Sequence, residues 1–467
     1  MQTTISPINS QPVKELLLLS HSEVNSAVEA SINAQKSWKK VPLDERIAIC
    51  EKFLVELNKL KDEIASELTQ EMGRPIRYTA GEVAGAIGRA EHLISIARDS
   101  LADVPAEQKD GFTRYIKKTP LGVVLVIAPW NYPYLCMINS VVPAILAGNT
   151  LLLKPSPQTP SSALRLQQAF QAASLPEDVI QTLVLSQDDT LSLVSDGRIG
   201  FVAFTGSVAG GKGVDKAAAN GQGFKGVGLE LGGKDPAYVR KDADLAYTVE
   251  NLVDGAYFNS GQSCCSVERI YVHESLFDTF VEKFVETTKA YVVGDPTSSE
   301  TQIGPVISLA SAKRIQAQID EAVQAGAKSL IPREHFKSVK EGTTYVPPQV
   351  LVDVSHDMKV MTEETFGPVV GIMKVSSDEE ALKLMNDSPY GLTASIWTNA
   401  DEPSSVKAFE TFVEDLETGT VFLNRCDVLD PALPWTGVKD TGRGVSLSGF
   451  GFDQLVRLKS VHMKTKI

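Results

Sequence analysis

From Glu23 to about Arg98 the apolar residues recur at helical spacing, as in Ile47, Phe53, Leu54, Leu57 and Leu60, with charged residues between them, which predicts a helical opening. From Gly122 the pattern changes to short β-branched runs alternating with Ala-rich helical stretches: Val123–Ile127, Val141–Leu146, Leu151–Leu153 and Ser161–Ala173. Further units follow at Phe201–Phe204, Val208–Ala219 and Val227–Leu231. Such alternation predicts an α/β fold, a parallel sheet with helices on both faces. A second α/β series starts after Lys234, with strands expected at Ala237–Val239, Arg269–Val272 and Val369–Met373, and helices at Leu245–Tyr257 and Leu276–Tyr291. The boundary between the two series falls near Gly232-Gly233. Two isolated alternating segments, Phe112–Lys118 and Leu455–Met463, are expected to pair with each other or with another subunit.

The 467 residues are 43% hydrophobic and 22% charged, enough for two or three soluble domains. A formal net charge of -13, with no Lys/Arg cluster, argues against a nucleic-acid or anionic-membrane partner. Five cysteines without repeated spacing do not make a disulfide framework, and Met1–Ile5 has neither the basic nor the apolar character of a leader, so a cytoplasmic setting is expected. The longest apolar run, Leu121–Ala128, is far short of the roughly 20 residues that span a bilayer. The six histidines are dispersed, with no paired ligand spacing, so no metal site is expected.

Three glycine patterns suggest nucleotide chemistry and fail on context. Gly221–Gly226 fits the dinucleotide fingerprint but lies between a helix and a strand, the reverse of the required order, and reads as a loop. Gly206–Lys212 and Gly228–Lys234 approach a P-loop, yet Gly213 and Asp235 stand where a magnesium-binding hydroxyl belongs. The turn Phe204-Thr205-Gly206-Ser207 still leads from a strand into a helix, whose N-terminus offers free N–H groups to phosphate. Lys154 closes its own strand and points to the carboxyl edge where open sheets bind cofactors, although alone it reads as a solvated lysine.

A single cysteine is usually a packed small hydrophobe, and Cys50, Cys136 and Cys426 read that way. Cys264 differs. It follows the polar, Gly-containing segment Asn259–Ser263 between an expected helix and strand, where active-site groups concentrate. Thirty-four positions upstream, Glu230 breaks an apolar strand that ends in Gly-Gly, and a carboxylate there needs water, a partner or a function. A thiolate can capture a carbonyl carbon, and a carboxylate can activate the water that later removes the acyl group. Asn131, in Pro129-Trp130-Asn131-Tyr132-Pro133 after the Val123–Ile127 strand, is a candidate amide donor for a developing oxyanion.

The combination of Pro129-Trp130-Asn131, Lys154-Pro155-Ser156, Phe204–Ser207, Leu229–Lys234, Gly261-Gln262-Ser263-Cys264 and Glu363–Pro368, in this order and spacing, resembles the aldehyde dehydrogenase superfamily over essentially the whole chain. The resemblance implies oxidation of an aldehyde to the carboxylic acid with NAD or NADP. It implies a Rossmann-like cofactor-binding domain (1–100 and 120–232), a second α/β catalytic domain (233–444) and a small β bridging or oligomerisation element (101–119 and 445–467), in a homodimer or homotetramer. Carried over, Cys264 is the nucleophile, Glu230 the general base, and Asn131 with the Cys264 backbone N–H the oxyanion hole. Ile127, Pro129, Trp130, Lys154, Ser156, Pro157, Phe204, Gly206, Ser207, Leu231, Glu364 and Phe366 would hold the cofactor.

Departures from the family pattern bear on selectivity. Pro157 stands where NAD-preferring members carry a Glu that repels a 2′-phosphate, so acceptance of NADP is expected. Asn139 stands where semialdehyde enzymes tend to place an Arg, and Trp435 replaces a Phe of the family. With Tyr132, Cys136, Ser263, Cys265 and Leu429 as the other lining residues, an uncharged medium-chain or aromatic aldehyde is the expected substrate. A semialdehyde dehydrogenase and a CoA-acylating relative are the alternatives, although Glu230 favours water over CoA as acceptor. A non-catalytic protein of the same fold ranks below both.

Overall fold

The computed structural model describes residues 1–337 and 339–466. The chain opens with a hairpin, β1 (Gln2–Ile5) against β2 (Pro12–Leu16), which hydrophobic periodicity did not predict. Four helices follow: α1 (His21–Trp38), α2 (Leu43–Lys59), α3 (Lys61–Met72) and α4 (Ile76–Ser100). A capping box at Ser20 and Glu23 starts α1, and Gly73 at φ 80 ends α3 in the left-handed conformation that glycine adopts without cost.

The short β3 (Val104–Pro105) and the long β4 (Phe112–Pro120) lead into β5 (Val123–Ile127), α5 (Pro133–Leu146), β6 (Thr150–Lys154), α6 (Ser161–Ala172), β7 (Ile180–Thr182), α7 (Gln187–Ser195), β8 (Ile199–Thr205), α8 (Val208–Asn220) and β9 (Gly226–Glu230). Strands β5 and β6 are buried throughout and read as continuous apolar runs, as parallel strands covered on both faces do.

The second series comprises β10 (Asp235–Val239), α9 (Leu245–Tyr257), β11 (Val267–His273), β12 (Lys328–Ser329), β13 (Gln349–Val352), β14 (Val369–Val375), β15 (Tyr390–Gly391), β16 (Thr393–Trp397) and β17 (Thr420–Leu423), with further helices between them. They make a seven-stranded sheet ordered β12-β13-β14-β11-β10-β16-β17, while β15 pairs with β18 (Val438–Lys439). The first sheet is ordered β19-β9-β8-β5-β6-β7, its edge strand β19 (Gly442–Arg443) running antiparallel on β9. The last strand, β20 (Val456–Lys464), pairs with β4 from Phe112↔Lys464 to Val456↔Pro120.

Register sets the site. Ile127 lies beside Lys154 on one side and Phe204 on the other, and Thr205 lies beside Glu230, so one row of residues forms the carboxyl edge of the first sheet. The chain crosses from β9 to β10 in four residues and brings the amino edge of the second sheet, where Asp235 pairs with Val267, against that row. Among the described residues no helix is long and apolar enough to cross a membrane.

Candidate active site

Glu230 ends β9 half-buried, and it has the partners that a strand-end carboxylate requires. The Ser446 hydroxyl donates to Oε1, and Thr205 adds a second side-chain bond. Burial raises the Glu230 pKa above the usual carboxylate range, while Ser446, Arg89 and Thr205 pull it back. Ser446 is itself held by a two-bond bridge with the buried Trp435, N–H to carbonyl in both directions at 2.7 and 2.9 Å. Trp435 therefore supports the partner of Glu230 from within the core.

Cys264 lies in a turn between the one-turn helix Phe258–Gly261 and β11, half-buried between the buried Ser263 and Cys265. Both neighbours bond to one carboxylate: Ser263 Oγ and Cys265 Sγ donate to Asp427 Oδ1 at 3.1 and 2.9 Å. Burial pushes Asp427 up to about 7. The bond to Cys264, together with burial, pushes the Cys265 thiol up, and burial does the same to Cys136. Asn131 Nδ2 donates to the Gln262 carbonyl at 3.1 Å, leaving its second hydrogen free to point elsewhere. The Cys264 backbone N–H finds no acceptor among the described residues. Two amide donors of this kind beside a thiol are what an oxyanion hole consists of.

Close packing where the first sheet's last strand leads into the second sheet explains Gly232-Gly233. A side chain at 232 would meet the Glu364 carboxylate, and one at 233 the Cys264 carbonyl. Glu364 Oε1 accepts from the Gly233 N–H at 3.0 Å, and burial beside Glu268 pushes it up to about 7. The Glu364-Thr365-Phe366 segment is fixed from below by the buried Glu268, which accepts from Thr365 N at 2.8 Å, from Phe366 N at 2.9 Å and from Lys234. Phe366, at φ 51, turns its ring edge-on to Trp130, centroids 5.5 Å apart.

Along the carboxyl edge, Ile127 and Pro129 are buried and Phe204 packs its ring under Gly206 and Gly210. Ser207 caps the 13-residue α8, Gly206 N–H bonds to the Glu230 carbonyl at 3.0 Å, and Leu231 N–H bonds to the Thr441 carbonyl at 2.9 Å. Lys154 is buried, its pKa lowered by that burial, and its ammonium has no partner among the described residues. A buried, unpaired cation on the same carboxyl edge as a capped helix N-terminus suits a phosphorylated ligand. Ser156 Oγ accepts from Gln158 N–H at 3.2 Å, and the exposed Pro157 has its carbonyl bound by Thr4 Oγ1 at 2.8 Å.

Leu429 packs with Trp130, Leu135 and Cys264 against one core cluster. Tyr132 and Cys136 occupy the start of α5, and Asn139 one turn on is bonded through Oδ1 to Arg89 Nη1 at 2.9 Å. Arg89 also donates to the Leu135 carbonyl at 2.9 Å, and its Nε and Nη2 have no partner among the described residues. Burial lowers its pKa, and the neighbouring Cys136, Glu230 and Cys265 oppose that shift. Arg89, Ser446, Asp427 and Glu268 were missed in the sequence. One signal was available for Arg89: it is a charged residue flanking the buried stripe Glu82, Val83, Ala86, Ala90 and Leu93 of α4.

Over residues 1–461 the sequence matches the Aldehyde dehydrogenase family. The chain belongs to the aldehyde dehydrogenase family. It is 34% identical to the succinate-semialdehyde dehydrogenase [NADP(+)] 1 of Mycobacterium ulcerans and 35% identical to an aldehyde dehydrogenase of Paenarthrobacter nicotinovorans, in each case over 98% of both chains. Its fold superposes on the succinic semialdehyde dehydrogenase of Streptococcus pyogenes in complex with NADP+, with a TM-score of 0.93 at 29% identity, covering 99% of this chain and 100% of that one. This dehydrogenase thus shares the family's α/β architecture from end to end.

Proposed function

We propose that this enzyme oxidises an aldehyde carrying a carboxylate at its far end, a semialdehyde, to the diacid with NADP+. The observation that carries the substrate class is Arg89. The sequence placed Asn139 where an arginine is wanted and favoured an uncharged aldehyde on that ground. In the structure Asn139 instead orients a guanidinium from α4, which keeps two donor nitrogens unengaged beside Cys136, Glu230 and Cys265. A planar guanidinium binds a carboxylate through paired N–H donors. The relatives named for succinate semialdehyde support the same class.

The chemistry uses the chain's own groups in sequence. Cys264 adds as thiolate to the carbonyl carbon, and the Asn131 amide and the Cys264 N–H receive the oxyanion. Bound NADP+ supplies the acceptor for the hydride that leaves this carbon. Glu230 then takes a proton from water, the hydroxide attacks the thioester, and the acid departs as Cys264 regains its thiolate. Lys154 and Ser156 would meet the adenosine ribose and its 2′-phosphate, with no acidic side chain at Pro157 to repel it. Gly206 and Ser207 would face the diphosphate, and Glu364 with Phe366 the nicotinamide ribose and ring. The β4–β20 ladder would serve as the bridging element of a dimer or tetramer.

Comparing succinate semialdehyde with butanal in wild type and Arg89→Met tests the substrate class. Loss of a charge-assisted pair is worth about 1.5–3 kcal/mol, so kcat/KM for the semialdehyde should fall at least about tenfold while butanal is spared. Equal losses for both aldehydes would refute it.

A further inference from the structure

Arg74 stands outside every step above, yet it touches the parts that must be held together. It occupies the elbow between α3 and α4, after the left-handed Gly73 and before Pro75, and its side chain is buried. Each arm of its guanidinium has a different acceptor. Nη1 pairs with the buried Glu82, Nη2 donates to the Asn131 backbone carbonyl at 2.5 Å, and Nε donates to Asn259 Oδ1 at 3.1 Å. Its Cζ lies 4.2 Å from the centroid of the Tyr132 ring.

Two of these acceptors belong to different sheets. Asn131 follows β5 in the first, whereas Asn259 belongs to the segment that leads to Cys264 and β11 in the second. Asn259 is held at φ 53 and Ser260 at φ 59, left-handed conformations that side chains other than glycine adopt only under constraint. The two asparagines then meet again on one atom: Asn259 Nδ2 and Asn131 Nδ2 both donate to the Gln262 carbonyl, at 3.2 and 3.1 Å. Arg74, Asn131, Gln262 and Asn259 therefore close a ring of hydrogen bonds two residues before the nucleophile. Glu82 locks the ring to α5 as well, since its Oε1 accepts the Tyr134 N–H at 2.9 Å. A lysine, with one ammonium in place of a planar fork, cannot reach three acceptors in these directions.

We propose that Arg74 is a positioning residue that fixes the spacing between the Asn131 amide and the Cys264 thiolate, and so governs formation of the acyl-enzyme through the oxyanion donor. The proposal rests on the assignment of Asn131 and Cys264 made above. It makes Arg74 act on oxyanion stabilisation and leaves the thiolate's own reactivity alone.

The test combines single-turnover NADPH formation, iodoacetamide alkylation of Cys264 across pH, and the variants Arg74→Lys, Asn131→Ala and the pair. Deleting one oxyanion donor typically costs roughly 10²–10³ in rate, so Arg74→Lys should lose about a hundredfold in the single-turnover step with KM near wild type. Its alkylation profile should match wild type, and the double variant should be no slower than Asn131→Ala alone. Additive losses, a parallel loss of alkylation, or a wild-type single-turnover rate would overturn the proposal. An unaltered rate in Asn131→Ala would overturn the underlying assignment instead. Should Arg74→Lys not fold, Asn259→Gly suits the left-handed backbone, keeps the Arg74–Glu82 pair and cuts the ring. It should show the same pattern at about tenfold, and absence of that pattern counts against Arg74.

Discussion

The Ser446 hydroxyl donates to Glu230 Oε1, tying the segment before β20 to the end of β9. This bond favours the ionised carboxylate and opposes the upward shift that burial imposes. The proposed base Glu230 would work only when deprotonated, so the turnover rate should rise with pH on a limb set by its pKa. Removing the hydroxyl in Ser446→Ala raises that pKa further, and the acid limb of the kcat profile should move to higher pH. An unmoved limb would show that Ser446 does not tune the base.

Glu230→Gln separates the two halves of the reaction. The thioester still forms and one equivalent of reduced cofactor per site appears in a burst, while the steady rate falls by roughly 10²–10⁴. Stopped-flow absorbance distinguishes this from a loss of both phases, which would place Glu230 in the first step.

Asp427 yields a prediction about stability. Its pKa is raised from 3.8 to about 7 in the folded protein, so folding favours the protonated acid. Its contribution is fully present below the unfolded value and is lost as pH rises through about 7. Asp427→Asn carries no ionisable group there. The difference in Tm, variant minus wild type, should therefore climb between pH 5 and pH 8, whatever its sign at the start; a flat difference in scanning calorimetry contradicts the assignment.

Pro157 concerns the cofactor. Pro157→Glu places a carboxylate on the exposed turn after Lys154 and Ser156, and like charge within a few ångströms of a 2′-phosphate is costly. We expect kcat/KM with NADP+ to fall by about a hundredfold, with a smaller change for NAD+. Equal changes for both cofactors would remove the 2′-phosphate from this turn.

The strands and helices around the site were legible because their signals are local. Val123–Ile127 coincides with β5, and the runs at Leu151, Phe201, Val227 and Ala237 mark β6, β8, β9 and β10 to within two residues. The residues to which the sequence attached a role are those embedded in contiguous motifs, such as Cys264, Glu230 and Asn131. What escaped were side chains whose meaning lies in contacts across the chain. Arg74 meets Asn131 57 positions away, Arg89 meets Asn139 across 50, and Cys265 meets Asp427 across 162. No periodicity encodes those distances, because tertiary packing alone brings the partners together. The β1–β2 hairpin escaped for another reason: with only Thr4 buried along its two strands, it has almost no apolar pattern to read.

The β4–β20 ladder joins two routes to the chemistry. Its first strand runs through Pro120 almost directly into β5, whose far end delivers Asn131, and its second strand lies ten residues after Ser446. Loosening this ladder would therefore reach the segment that carries Asn131 and the segment that carries Ser446, the partner of Glu230, at once. The nine paired residues of β20 thus act as a drawstring on two segments of the proposed site.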